Sequence, residues 1–298
     1  MSRSPNLRIL ITGRDGQVGA ELVRAMSPLG KVTATGRAEM DLTSDAAIQE
    51  VVRRVRPQLI VNAAAYTAVD KAESERDLAR RINVEAVEKL AQVANSIGAA
   101  IIHYSTDYVF DGEKSAPYVE TDETNPLSVY GQTKLDGEQE LANSGIPYLV
   151  LRTSWVYSMR GKNFLLTILK LAAEKPELRI VNDQIGAPTW SHDIAGTTAA
   201  IAKKWRAEEP DKTSGIYHLT AGGETSWYGF AAEAIRLRAL ANPSTTCARL
   251  LPILTADYPT AAARPKNSRL DCGRLQKVFG IEMPHWQNSL EKVVASIH

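Results

Sequence analysis

Tyr130 and Lys134 stand one helical turn apart in Val129-Tyr130-Gly131-Gln132-Thr133-Lys134, so on a helix both side chains meet the same cleft. An ammonium held near a phenol favours its ionised form, which makes tyrosine a usable proton donor near neutral pH. A solvated lysine on a surface helix is the bland account of the same pair. Upstream, His103-Tyr104-Ser105-Thr106-Asp107 leaves an apolar run and brings hydroxyls and a carboxylate to its end. A Thr106 hydroxyl could hydrogen-bond a carbonyl oxygen while Tyr130 delivers a proton to it; the alternative is that Thr106 only caps backbone groups.

Such a cleft needs elements to build it, and the first is a strand, loop and helix. Leu7-Arg8-Ile9-Leu10-Ile11-Thr12 reads as a buried parallel strand. Gly13-Arg14-Asp15-Gly16-Gln17-Val18-Gly19 follows with G-x-x-G-x-x-G spacing, and Ala20 to Met26 is a helical pattern closed by Pro28 and Gly30. Glycines are needed where a β-carbon would hold the backbone away from a pyrophosphate, and the last one lets helix and strand pack closely. The helix N-terminus adds free amides and partial positive charge for phosphates. An ordinary glycine-rich turn is the competing account.

The next strand, Lys31 to Thr35, ends at Gly36-Arg37. An NAD-preferring site usually has a carboxylate near this point for the ribose 2′-hydroxyl, yet the nearest one is Glu39. Arg37 could instead pair with a 2′-phosphate, which favours NADPH over NADH; an exposed arginine without a ligand is the other account. Asp41-Leu42 is placed to meet an adenine, unless Asp41 or Ser44 caps the helix that follows.

Composition narrows the function classes. A chain of 298 residues with 44% hydrophobic content can bury a substantial core as one large domain or two modest ones. A formal net charge of +1 gives no basic footprint, so nucleic acid is not the expected partner. Cys247 and Cys272 are too few for a disulfide scaffold and lack metal-site spacing. No apolar stretch approaches the length of a membrane helix, and no signal-peptide pattern opens the chain. The expectation is a cytoplasmic protein without membrane contact, with Met1 to Asn6 as a short tail.

Strands and helices then alternate: a strand over Pro57 to Asn62, the small-residue segment Ala63-Ala64-Ala65-Tyr66-Thr67, a helix over Asn83 to Ile97, and a strand over Ala99 to Tyr104. This alternation predicts an α/β fold with a doubly wound parallel sheet, ligands lying at the carboxyl ends of its strands. The expected division is an NAD(P)-binding domain over 1–152 and a smaller, interleaved substrate domain over 153–298, with segments near 187–220 returning to the sheet. In the second part, Asn163 to Glu174 and Ser191 to Trp205 read as helices, Gly186-Ala187-Pro188-Thr189 as a turn, and Gly215 to Leu219 as a strand. Arg264, Lys266 and Arg269 share a Pro-containing loop with Asn267 and Ser268, and could face a nucleotide-sugar pyrophosphate. A solvated basic loop explains the same charges.

Seven ordered segments carry a resemblance. They are Gly16-Gln17-Val18-Gly19, Val61-Asn62-Ala63-Ala64-Ala65-Tyr66-Thr67-Ala68-Val69-Asp70-Lys71-Ala72-Glu73, His103-Tyr104-Ser105-Thr106-Asp107-Tyr108-Val109-Phe110, Pro126-Leu127-Ser128-Val129-Tyr130-Gly131-Gln132-Thr133-Lys134, Arg152-Thr153-Ser154-Trp155-Val156-Tyr157, Asn182-Asp183-Gln184-Ile185-Gly186-Ala187-Pro188-Thr189 and Arg264-Pro265-Lys266-Asn267-Ser268-Arg269-Leu270. Over nearly its whole length the chain resembles the extended short-chain dehydrogenases/reductases of Rossmann type and, within them, the dTDP-4-dehydrorhamnose reductases. The resemblance implies reduction of the 4-keto group of a dTDP-sugar by NADPH (or NADH) in rhamnose biosynthesis. It implies Tyr130 as proton donor, Lys134 as activating lysine and Thr106 as third catalytic member. Cofactor contacts implied by it are Gly16, Gln17, Val18, Asp41, Leu42, Ala65, Tyr66, Thr67 and Tyr104, to which the loop reading adds Gly13 and Gly19. Thr106 and Asp107 match positions touching the sugar, and Trp155 matches a tryptophan that covers the sugar or the base. Read by itself, Trp155 ends the apolar run Tyr148 to Arg152, where an indole could stack on a ring or simply fill the core.

Some members of that family form a magnesium-linked dimer through acidic residues, one of them shortly after the segment matching Gly186 to Thr189. Here His192 fills that position, and magnesium prefers an oxygen shell. No metal is therefore expected, and the assembly stays open between monomer and homodimer. Two other functions fit the same motifs: a nucleotide-sugar epimerase or dehydratase, which recycles its cofactor, and a non-catalytic NADP-binding regulatory subunit. Tyr108 beside Asp107 is a poor base for a dehydratase, and a regulatory subunit would tend to lack part of the catalytic set.

Overall fold

Strand β1, Leu7–Thr12, shows how the layers arise: Ile9 and Ile11 are buried on one face of the sheet and Leu10 on the other. A strand apolar on both faces must be covered on both. The structure is a computed structural model describing residues 7–207, 210–242 and 247–297, and the expected tail of Met1 to Asn6 lies outside the described residues.

A loop and the helix α1, Gln17–Met26, lead from β1 to β2, Gly30–Thr35; the helix α2, Asp45–Val55, leads on to β3, Leu59–Asn62. Strands β4, Ala100–Thr106, and β5, Tyr148–Thr153, follow. All pair in parallel, and the strand Gly215–His218 adds to β5 in the same sense. The six-stranded order is Gly215–His218, β5, β4, β3, β1, β2, a doubly wound Rossmann-type sheet. The chain runs outward from β1 to β2 and then returns to β1's other side as β3. That reversal opens a crevice at the carboxyl ends of β1 and β3.

One face of the sheet packs Leu22 and Met26 of α1 with Ile194, Ile201 and Trp205 of the helix Ser191–Ala207. The other packs Ile48 and Val52 of α2 with Leu90 and Ala94 of Ala86–Ile97 and Leu141 of Val129–Ala142. Each such Leu or Ile contributes about 1.5–3 kcal/mol on burial. The helix expected from Asn83 instead opens with a π-helical turn over Arg81–Glu85, whose wider bore turns Asn83 inward.

A second group of elements sits over the carboxyl edge. The helices Phe164–Glu174, Trp227–Ala241 and Trp286–Ala295 share an aromatic core of Tyr157, Phe230 and Trp286. Three two-stranded ladders tie this group together. Two of them use Ile185–Gly186 and Thr189–Trp190, so the expected turn is the Ala187-Pro188 joint between two short strands.

Candidate active site

The site begins where β1 stops. Gly13 turns the chain at φ +71, and a β-carbon there would lie 2.8 Å from the Ala64 backbone. A β-carbon on Gly19 would lie 2.0 Å from the Gly13 carbonyl oxygen. Both glycines are thus demanded by close backbone approach. Helix α1 has Gly16 as N-cap without a side-chain hydrogen bond and no acidic residue in its first turn. Its first intrahelical bond is Ala20 N–H to Gly16 O, which leaves the amides of Gln17, Val18 and Gly19 outside the ladder. The buried Gln17 Oε1 also has no partner. Free amides, an uncapped N-terminus and a backbone-tight loop fit a dinucleotide pyrophosphate.

Beyond β2 the sequence reading missed a partner. Glu39 accepts from Gly36 N–H at 2.9 Å and from Arg14 Nη2 at 2.5 Å, and both bonds hold its carboxyl below its ordinary value. An arginine inside the glycine loop was the available signal. Arg37 is exposed, and its charge helps to hold Asp41 low after the hydrogen bonds from Thr43. Asp41 binds the Thr43 amide and hydroxyl at 2.9 Å each, while Ser44 caps α2. Leu42 is buried in the core.

The segment after β3 is fixed by Asn83, which sequence reasoning also missed. Its Oδ1 accepts from Tyr66 N–H at 2.9 Å, and its Nδ2 donates at 3.1 Å to both Tyr66 O and Thr133 Oγ1. Asn83 thereby couples the Ala65-Tyr66-Thr67 loop to the helix carrying Lys134. The Tyr66 hydroxyl donates to Glu75 at 2.7 Å, and Thr67 is exposed.

Helix Val129–Ala142 starts at the Ser128 cap and carries Tyr130 and Lys134. Tyr130 lies beside Thr106 at the end of β4, its ring edge-on to Tyr108 at 5.5 Å. Thr106 Oγ1 donates to Asp107 Oδ1 at 3.0 Å and accepts from Tyr108 N–H at 3.2 Å. Asp107 is 3% exposed, its Oδ2 lacks a partner, and burial pushes its carboxyl up to about 6. Lys134 turns toward the sheet: its Nζ donates to Tyr104 O at 2.6 Å and lies 3.0 Å from His103 Nε2. Burial lowers it to about 8. The expectation that Lys134 depresses the phenol is not met. Burial raises Tyr130, and the Thr106 hydroxyl is what opposes the rise. A phenol that stays protonated is the form a proton donor needs. The Tyr104 hydroxyl binds Thr198, so only its carbonyl faces this cluster.

On the other wall, Trp155 has φ +48, unusual for a non-glycine. It stacks on Trp227 at 3.6 Å between centroids and 9°, and a β-carbon on Gly186 would lie 2.6 Å from its Cε2. One indole face is therefore covered by Trp227, Gly186 packs close against the ring, and part of Trp155 stays exposed. Arg264 bonds Tyr108 Oη at 2.8 Å and Asp70 at 2.6 Å, and Tyr108 meets Tyr130 edge-on at 5.5 Å. Arg264 therefore reaches the cluster. Asn267 and Arg269 are engaged elsewhere: Asn267 Nδ2 donates to Lys114 O and Ala116 O, and Arg269 binds Asn267 Oδ1, Ser115 O and Glu224. Among the described residues no cluster of His, Cys, Asp or Glu could hold a metal. His192 lies 3.2 Å from Glu21. No described helix is long and apolar enough to cross a membrane.

Comparison with known proteins adds the following. The model described as RmlD substrate binding domain matches residues 7–298. A dTDP-4-dehydrorhamnose reductase of Burkholderia thailandensis is 48% identical over 286 residues, spanning 94% of this chain and 96% of that protein. The solved dTDP-4-dehydrorhamnose reductase of Clostridium acetobutylicum superposes with TM-score 0.89 at 37% identity, over 96% of this chain and 98% of that one. That of Bacillus anthracis, in complex with NADP, gives 0.88 at 33% identity, over 98% and 100%.

Proposed function

The chain belongs to the family of the RmlD substrate binding domain, and from that premise we propose that it reduces the 4-keto group of dTDP-4-dehydro-6-deoxy-L-mannose to give dTDP-L-rhamnose, at the expense of NADPH or NADH. The observation that carries the reading is the adjacency of Tyr130 and Thr106 at the carboxyl end of β4, with Lys134 one helical turn from Tyr130 and the Gly13–Gly19 loop on the same sheet edge.

The amides of Gln17, Val18 and Gly19 would hold the cofactor pyrophosphate, and Ala65, Tyr66, Thr67 and Lys134 its nicotinamide half. Bound there, the reduced nicotinamide supplies the hydride. Thr106 positions the substrate carbonyl oxygen, and Tyr130, kept protonated by burial, gives its proton to the oxygen as negative charge develops. Lys134 holds the nicotinamide ribose from its place against Tyr104 O and His103. Asp107, with a buried acceptor unmatched by any donor, takes a hydroxyl of the sugar, and Arg264 supplies positive charge from the far wall. NADPH is the preferred cofactor, since Arg37 and Arg14 stand at the ribose edge of the crevice. No step passes through a metal.

The test is stoichiometry. One reduced nicotinamide should be consumed per 4-keto nucleotide sugar, and the product should be the rhamnose nucleotide. Catalytic cofactor with no net oxidation would point to an epimerase instead.

A further inference from the structure

Behind Lys134 a row of buried polar side chains crosses the sheet from β4 to β1. Lys134 Nζ lies 3.0 Å from His103 Nε2, His103 Nδ1 lies 3.0 Å from Asn62 Nδ2, and Thr12 Oγ1 lies 2.5 Å from Asn62 Oδ1. Thr12 Oγ1 in turn accepts the Ala64 N–H at 3.2 Å, and Ala64 is the residue against which Gly13 packs. His103 is fully buried, and Thr12, Asn62 and Lys134 are 1%, 2% and 2% exposed, so bulk solvent does not reach these bonds.

A neutral imidazole carries one N–H and one bare nitrogen, which leaves the row two arrangements. With Asn62 Nδ2 toward His103, Nδ1 accepts and Nε2 carries the hydrogen. Lys134 must then accept it as an unprotonated amine while donating to Tyr104 O. If Lys134 is an ammonium, Nε2 must be bare and Nδ1 must donate. The Asn62 amide then turns over, which its shape allows, and presents Nδ2 to Thr12. Any mixed arrangement buries two hydrogens or two lone pairs face to face, at a cost of the order of a lost hydrogen bond.

We propose that His103 is a positioning residue for Lys134, and that the row Lys134–His103–Asn62–Thr12 switches as one unit, so that the charge of the lysine is registered at the backbone of the dinucleotide loop. The groups facing Lys134 are His103 and the Tyr104 carbonyl from β4, and Glu138 from its own helix. Glu138 is held by Arg152 of β5 at 2.6 Å. Burial and the neighbouring lysine hold His103 well below the usual imidazole range, so the ring stays neutral while Lys134, lowered to about 8, titrates. This deepens the reading of Lys134 given above, but the switching itself belongs to the cofactor-free chain.

Imidazole nitrogen shifts of the cofactor-free protein test it, with the His103 signal assigned among the five histidines by loss in His103→Gln. Between pH 6 and 10 the His103 hydrogen should pass from Nδ1 to Nε2, and Lys134→Met should abolish that passage. A single tautomer throughout, or an identical passage in Lys134→Met, overturns the coupling whatever reaction the enzyme catalyses. In turnover, His103→Gln should displace the midpoint of the kcat pH profile and leave KM for the keto sugar unchanged. A uniform loss at every pH would assign His103 a structural role only.

Discussion

The two walls of the cleft are built on opposite plans. Along the dinucleotide wall, groups are left waiting: three α1 amides outside the helical ladder, an unpartnered Gln17 oxygen and glycines that admit nothing bulkier. Along the sugar wall the donors are already taken. Asn267 and Arg269 are spent on the loop containing Lys114, Ser115 and Ala116, and Trp155 is stacked on Trp227 with Gly186 close against its ring. The first wall is preorganised and bears unsatisfied groups. The second is bonded mostly within itself, Arg264 included, and leaves the Asp107 Oδ2 acceptor open and part of the Trp155 indole exposed. A pyrophosphate can dock without rearrangement, whereas a sugar nucleotide must compete with internal bonds for any contact beyond those few.

The seam between the walls should give the largest effect. Tyr130→Phe should lower kcat by about 10²–10⁴-fold, the usual worth of a positioned proton donor, while cofactor affinity by fluorescence titration stays near that of the parent. Retained turnover would remove Tyr130 from its role. Next comes the preorganised wall. Gly13→Val adds a β-carbon into the Ala64 backbone at a positive φ, so calorimetry should find NAD(P)H binding weakened more than tenfold and stability down by about 1–3 kcal/mol. A variant that binds normally would show that the loop has slack.

On the satisfied wall, Asn267→Ala strips buried bonds from the 114–116 loop and should cost about 1–3 kcal/mol in denaturant unfolding. Its KM for the keto sugar should rise while kcat changes little. If kcat collapses with stability intact, Asn267 touches the reacting centre and the contrast between the walls fails. The smallest effect belongs to Arg37→Ala. Being exposed, Arg37 should contribute only a few-fold to the NADPH over NADH ratio, in line with a solvent-screened ion pair, and an unchanged ratio would pass the 2′-phosphate to Arg14.

What could be read in advance follows the range of each interaction. The glycine loop, the Tyr130/Lys134 turn and the strand alternation are local patterns, and the sheet displays them directly. Asn83, the Glu138–Arg152 pair and Trp227 are invisible locally because each acquires its role from a partner far along the chain. The direction of the Tyr130 shift was misjudged for the same reason. Adjacency on a helix put an ammonium near the phenol, but the carbonyl of Tyr104 and the ring of His103, both on β4, draw it toward the sheet. Cap choice at α2 was undecidable between Asp41 and Ser44 until the Thr43 bonds claimed Asp41.

The parallel indoles of Trp155 and Trp227, 3.6 Å apart, have an optical consequence. Chromophores at that spacing couple their transitions, so the emission and near-ultraviolet circular dichroism of the pair depend on how the two rings are held. Any ligand that wedges the rings apart would change both signals, giving the sugar wall a native, label-free gauge of its own opening.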